Sequence, residues 1–262
     1  MLRVILLLLL SFSSFCCYAE QIKAQLISVK SDGAERRALV YAPALNSKTA
    51  HPLVFVFHGR GGSMHAVSKK MDIHNHWANA IVVYPQGMWG EGRYYEGFGW
   101  VIPNGEDEGR DIRFFDVLLD YMLKNYNVDS CNIYAAGHSN GSAFTHALWA
   151  FRGDKFRGFM ASSSSSAKLK SNAAKRVPKP VFIIGGIEDE LIKIESIKRE
   201  IERVKQINGC TKHRKFSKFT TIYKGKDGAD VAVAIHPYGH DFQSALLPDI
   251  VSFFKYVCQG KQ

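Results

Sequence analysis

The sequence predicts an α/β fold with helices on both faces of a mostly parallel central sheet. Two observations predict it. Short, continuously apolar runs at 52–57, 80–84 and 180–184 read as strands buried on both faces. Between them lie segments whose apolar residues recur at helical spacing, and strands alternating with helices imply parallel neighbours joined by crossovers. A chain of 262 residues with 46% hydrophobic content, and no composition shift to mark a linker, suits one such domain.

Residues 1–19 stand apart from that domain. Arg3, an apolar run over 4–10 and small residues ending at Ala19 have the layout of a secretory signal, with cleavage after Ala19 and a single domain over 20–262. The run is too short to span a bilayer, so no stable membrane insertion is expected after cleavage. Cys16 or Cys17 could carry a lipid instead, although the residues before them lack the small-residue pattern expected there. The expected location is secreted or periplasmic. The net charge of +10 favours adsorption to anionic surfaces or polymers. The cations are scattered without a recognisable binding motif, so nucleic acid is not an expected partner.

Cleavage would leave Cys131, Cys210 and Cys258. An oxidising compartment then implies one pair and one leftover thiol, with three pairings possible. Cys210 follows a helix end and Cys258 closes the last helix, which favours a Cys210–Cys258 disulfide and leaves Cys131 buried beside a strand.

In chain order, alternating runs within 25–44 flank Ser31-Asp32-Gly33, the signature of an antiparallel hairpin at a sheet edge. The strand at 52–57 ends in His58-Gly59-Arg60-Gly61-Gly62, a loop whose backbone can turn freely and offer N–H groups. A helical segment is expected at about 65–79, then the strand 80–84. Residues 88–110 form a loop long for a compact domain. Its aromatic residues, Trp89, Tyr95 and Trp100 among them, argue against disorder and make it a candidate wall of a substrate cleft; the competing reading is that they merely pin the loop down.

Ile112, Phe115, Leu119, Met122 and Tyr126 mark an amphipathic helix over 111–126. A strand at 132–136 leads through Gly137-His138-Ser139-Asn140-Gly141 into a helix at 140–151. A further strand at 156–161 runs into Ser162–Ser166, expected to be a polar loop. After the strand 180–184 and Gly185-Gly186-Ile187-Glu188-Asp189, a helix with Ile194, Ile197, Ile201 and Val204 on one face stops at Asn208-Gly209. Two strand-like runs within 216–236 deliver His236 and His240, and Pro248-Asp249 opens the last helix.

The segment around Ser139 carries the chemistry. G-x-S-x-G between a strand and a helix is the context of a nucleophile elbow, a sharp turn that presents a serine hydroxyl at a helix N-terminus. That hydroxyl needs a base, and the base needs a carboxylate to fix its tautomer. The order serine, aspartate, histidine is that of α/β-hydrolases. Asp189 and His240 follow predicted strands, and in such sheets the working site lies at the strands' carboxyl ends. Glu188 and Glu190 compete with Asp189, and His236 with His240; the short side chain on a turn and the glycine-preceded loop favour Asp189 and His240. The backbone N–H groups of Arg60 and Asn140 are the expected oxyanion donors. His58, His138, His74 and His76 are expected in structural roles. His74 and His76 would not share a helix face, so no metal site is expected there.

Taken together, 58–62, 84–87, 111–115, 126–129, 137–141, the Gly185 to Asp189 spacing and Gly239-His240 resemble the secreted polyhydroxybutyrate depolymerase and feruloyl or acetylxylan esterase family over about residues 25–257. The resemblance implies an α/β-hydrolase fold, no cofactor, and hydrolysis of carboxylic esters that decorate or form polymers such as plant cell-wall polysaccharide or polyester. It places the nucleophile at Ser139, the acid at Asp189 and the base at His240. Ser142 stands where a second glycine is common, Gly185 replaces a frequent histidine, and Asp241-Phe242 replaces a frequent Trp-Pro, which alters the rim of the acyl pocket. The Ser-Asn-Gly elbow leans towards the esterase branch. Within enzymes the alternative is a lipase or peptidase on the same scaffold, though no apolar lid insertion is visible. Outside enzymes it is a non-catalytic binding module, against which the intact Ser139, Asp189 and His240 count.

Overall fold

The structure is a computed structural model that describes residues 23–43, 49–92, 95–103, 109–169 and 176–259. The expected leader over 1–19, with Cys16 and Cys17, lies outside the described residues.

A ten-stranded sheet has the order β1-β2-β4-β3-β7-β8-β9-β12-β11-β10. Its centre is parallel: β4 (Ile81–Pro85), β3 (His51–Phe57), β7 (Val128–His138), β8 (Gly158–Ser162), β9 (Val181–Gly186) and β12 (Val231–His236). Every residue of β3, β4, β8 and β9 is buried, as the unbroken apolar runs require of strands covered on both faces. The edges are antiparallel. β1 (Gln25–Ser31) and β2 (Ala34–Tyr41) turn at Asp32-Gly33, where both residues have positive φ (50° and 76°), the backbone that an Asp-Gly hairpin turn demands. On the other side lie β11 (Thr220–Lys224) and β10 (Lys212–Lys215).

One core packs α3 (Arg110–Asn125), α4 (Asn140–Arg152) and α5 (Ile194–Ile207) on one face of the sheet. A second packs α1 (Met64–Lys70), α2 (Ile73–His76) and α6 (Leu247–Gln259) on the other. The fold class is therefore as expected, an α/β-hydrolase arrangement. Among the described residues no helix is long and apolar enough to cross a membrane.

Four local expectations change. The helical segment at 65–79 is two short helices: α1 begins where Ser63 Oγ accepts the Ala66 N–H at 3.1 Å and ends at Met71, before α2 starts at Ile73. Much of the expected loop 88–110 is a separate two-stranded hairpin, β5 (Met88–Gly92) with β6 (Tyr95–Gly99). Glycine at 90, 92, 97 and 99 removes the alternating side chains that would have marked it as strand. β10 escaped notice because all four of its residues are exposed and polar, a charged edge of the kind that discourages pairing with another chain. Ser162, Ser163, Ser164 and Ser166 are buried and not part of a solvated loop.

The cysteines also depart from expectation. Cys131 is exposed, not buried, and Cys210 and Cys258 are free. Cys210 packs against the core under α5, whereas Cys258 is partly buried on α6, the helix of the opposite face, by the Tyr134 hydroxyl. A bridge between them would have to cross the sheet.

Candidate active site

β7 delivers Ser139 at its carboxyl end, and the chain turns there into α4 with Ser139 at φ 55° and ψ −119°. A left-handed backbone at a non-glycine residue costs on the order of 1–3 kcal/mol and persists only where its surroundings impose it. Here they do. A Cβ on Gly141 would lie 2.2 Å from the Phe57 carbonyl oxygen, and one on Gly137 would lie 2.4 Å from the Gly141 carbonyl, so α4 sits on its strand at a distance that only glycine permits. The Ser139 N–H is held by the Ser162 carbonyl at 2.9 Å, and Ser164 Oγ donates to Ser142 Oγ at 2.7 Å beneath the turn. The buried serine run therefore supports the elbow.

His240, on the loop after β12, brings Nε2 to 2.8 Å from Ser139 Oγ. Its Nδ1 lies 2.8 and 3.0 Å from the two carboxylate oxygens of Asp189, on the loop after β9. A carboxylate only accepts, so Nδ1 carries the proton and Nε2 faces the hydroxyl with a lone pair. Asp189 is buried, and Oδ1 also accepts the Leu191 and Ile192 N–H groups at 3.0 and 2.8 Å. Burial alone would raise its pKa, but the Ile192 N–H and the bond to His240 outweigh burial and hold the carboxyl below its ordinary range. Glu188 and Glu190 are exposed. His236 is buried at the end of β12, and neither ring nitrogen has a hydrogen-bond partner among the described residues.

His138 sits beside this line. Its ring centroid is 5.0 Å from that of His240, and its Nδ1 is 3.2 Å from Ser162 Oγ. Burial, with the His240 charge next in weight, pushes its pKa down to about 4, so it is neutral at neutral pH.

The loop after β3 runs along the other side of Ser139, with the Gly59 Cβ position 3.5 Å from the Ser139 Cβ. His58 braces that loop: Nδ1 donates to the Gly59 carbonyl at 2.7 Å and Nε2 accepts the Gly87 N–H at 2.9 Å. Burial lowers the His58 pKa, which suits a neutral ring with one donor and one acceptor. Arg60 lies exposed on this loop, and Asn140 opens α4, among the four amides that a helix leaves without an internal acceptor.

Of the aromatic residues expected either to wall a cleft or to pin the loop down, Trp100 does the second. It is 1% exposed, stacks on Phe144 and donates from Nε1 to the His58 carbonyl at 2.9 Å. Its fused rings fill the core beneath the loop. Trp89 is 48% exposed and packs edge-on against Phe98, its cross-strand partner, which is 40% exposed. The backbone of Tyr95 pairs with Gly92, while its side chain lies outside what is described. His74 Nδ1 is bound to the Tyr84 hydroxyl at 2.8 Å.

A polar cluster behind α4 was invisible in the sequence. Buried Glu200 of α5 accepts from Arg176 Nη1 at 2.5 Å and from Ser166 Oγ at 2.8 Å, and lies 3.8 Å from His146 Nδ1 on α4. No motif links four residues spread over that length of chain. Glu200 is the one with a faint signal, a carboxylate on the apolar stripe of an otherwise amphipathic helix.

No known family profile matches the chain. A bifunctional acetylxylan esterase/xylanase from Neocallimastix patriciarum is 26% identical over 174 residues, 64% of this chain and 23% of that protein. Feruloyl esterase D from Neurospora crassa is 24% identical over 200 residues, 71% of this chain and 64% of that protein. The matches thus span less than two thirds of either relative's length. Among solved structures, an acetyl xylan esterase from Aspergillus awamori superposes with a TM-score of 0.67 at 14% identity, over 87% of this chain and 99% of that one. The chain has the α/β-hydrolase fold, and the proteins to which its sequence is similar are feruloyl and acetylxylan esterases.

Proposed function

We propose that the chain is an exported serine esterase that hydrolyses carboxylic esters through an acyl-enzyme. The single observation that carries this is the hydrogen-bonded line from Asp189 through His240 to Ser139 Oγ, with 2.8 Å at both contacts.

Ser139 Oγ attacks the ester carbonyl while His240 Nε2 takes its proton, and Asp189 stabilises the imidazolium through Nδ1–H. The negative oxygen of the tetrahedral intermediate is held by the backbone N–H groups of Arg60 and Asn140, each donor contributing roughly 100- to 1000-fold to turnover. The C–O bond breaks, and the alcohol leaves with the proton from His240. Water then repeats the sequence on the acyl carbon, freeing the acid and restoring Ser139. His138, neutral beside His240, adds no competing positive charge during this transfer.

The acyl group is of the feruloyl or acetyl class, carried on a plant cell-wall polysaccharide. The names of the similar proteins and the Ser-Asn-Gly elbow support this above a polyester substrate. Trp89, 48% exposed on the β5–β6 hairpin, is the aromatic side chain assigned to meet such a substrate in this reading. Export rests on the leader-like residues 1–19. Hydrolysis rates on methyl ferulate, acetylated xylan, polyhydroxybutyrate and p-nitrophenyl esters of increasing chain length test the reading. Turnover should be fastest on the first two and on the shortest p-nitrophenyl ester. A preference for polyhydroxybutyrate or long acyl chains would contradict the substrate assignment.

A further inference from the structure

We infer that the side chain of Asn140 is a positioning residue that fixes the spacing of the oxyanion donors by clamping the β5–β6 hairpin across them. The inference rests on the esterase reading and extends it to a group that does not touch substrate.

The two expected donors, Arg60 and Asn140, sit on separate pieces of backbone, the loop after β3 and the first turn of α4. The strands that lead into them, β3 and β7, pair as far as Phe57 opposite Gly137, and beyond the end of that pairing the hairpin supplies a further tie. The Asn140 amide makes two bonds to Trp100, the residue that follows β6: Oδ1 accepts its N–H at 2.7 Å, and Nδ2 donates to its carbonyl at 3.0 Å. Two residues back, the Phe98 carbonyl accepts the N–H of Gly61, the residue after Arg60, at 2.7 Å. The Trp100 indole closes the circuit through its bond to the His58 carbonyl. Both donor-bearing segments are therefore tied to the three residues 98–100.

Two features make this clamp more than incidental packing. The hairpin is not part of the main sheet, and an isolated two-stranded hairpin is marginal by itself, so its position depends on such anchors. The approach is also close: a Cβ on Gly99 would lie 2.8 Å from Asn140 Oδ1, so a larger residue at 99 would push the amide away. Only an uncharged amide of this length offers an acceptor and a donor to the N–H and C=O of one residue. Aspartate would set a carboxylate oxygen against the Trp100 carbonyl, and glutamine would overreach.

The test uses the full mature enzyme and three substitutions, Asn140→Ala, Asn140→Asp and Gly99→Ala, the last disturbing the clamp while leaving Asn140 in place. The readouts are kcat and KM on p-nitrophenyl acetate, its pH profile, and the rate of Ser139 labelling by a fluorophosphonate. Since a misplacement of about 1 Å can cost roughly 100-fold, kcat and labelling rate should fall together by up to that factor in all three. KM should stay within a fewfold and the pH profile should keep its shape, because His240 and Asp189 are untouched. A kcat within twofold of the parent in all three, or a loss confined to KM or to the folded fraction, overturns the inference. A parent protein that neither turns over esters nor labels overturns the esterase reading and this inference with it, whereas an active parent with unaffected variants overturns the clamp alone.

Discussion

The Trp100 indole N–H meets the His58 carbonyl at 2.9 Å, directly under the loop that runs beside Ser139. Of the two sequence readings, a cleft aromatic or an anchor of its loop, Trp100 is thus the anchor, while Trp89, on the β5–β6 hairpin, is 48% exposed. Truncating a buried tryptophan costs about 3–5 kcal/mol, so Trp100→Ala should lower the melting temperature on the order of 10 °C in a domain this size. Trp89→Ala should leave the melting temperature nearly unchanged, since exposed substitutions stay within roughly 0.5 kcal/mol, and should raise KM on acetylated xylan more than on p-nitrophenyl acetate. Thermal melts and paired kinetics check both; equal melting losses at 89 and 100 would contradict the division of roles.

Asp189 holds His240 in the tautomer with the proton on Nδ1. Asp189→Asn places a donor where that proton points and favours the opposite tautomer, so kcat should fall by about 10⁴-fold with the fold retained. Steady-state kinetics beside a melting curve measure this. A loss under tenfold would mean that another carboxylate serves His240.

Acid should weaken the protein through the cluster behind α4. Burial alone would raise the Glu200 pKa, but the His146 and Arg176 charges and the Ser166 hydroxyl bring it down from 4.5 to about 2. Its contribution to stability is complete above pH 4.5 and is lost as the pH falls towards 2, because the unfolded chain takes up the proton first. Burial pushes His146 from 6.5 down to about 4, so the same direction holds for it over a higher window, between about pH 6.5 and 4. Melting temperature against pH should therefore flatten below pH 4.5 in Glu200→Gln and between about pH 6.5 and 4 in His146→Gln. Parallel curves for parent and variants would contradict it.

Cys210 and Cys258 are free thiols on opposite faces of the sheet. Alkylation of the denatured, unreduced protein should therefore modify both, as mass mapping of the peptides would read. A recovered Cys210–Cys258 cross-linked peptide would contradict the structure here.

The buried parallel strands and the elbow were legible because unbroken apolar runs and a glycine-flanked serine each leave a local mark. Their carboxyl-end placement then follows from topology, which is how Ser139, Asp189 and His240 could be named although 101 residues separate the first from the last. The β5–β6 hairpin left no such mark, since glycine carries no side chain to alternate. The two readings of Trp100 stayed open in the sequence because an aromatic in a glycine-rich stretch reads the same whether it faces solvent or core. The bonds from Asn140 to Trp100 and from Arg176 to Glu200 join residues 40 and 24 apart, and such pairings are decided by packing after the chain has folded.

The central claim is that Ser139 is the nucleophile of an ester hydrolase. Its most direct test is mass mapping of the purified protein after exposure to a fluorophosphonate. The account predicts one adduct per chain, on the peptide containing Ser139, with loss of p-nitrophenyl acetate turnover in step with labelling, and no adduct on a folded Ser139→Ala variant. An unlabelled parent protein, or an adduct on another serine with turnover lost, would contradict it.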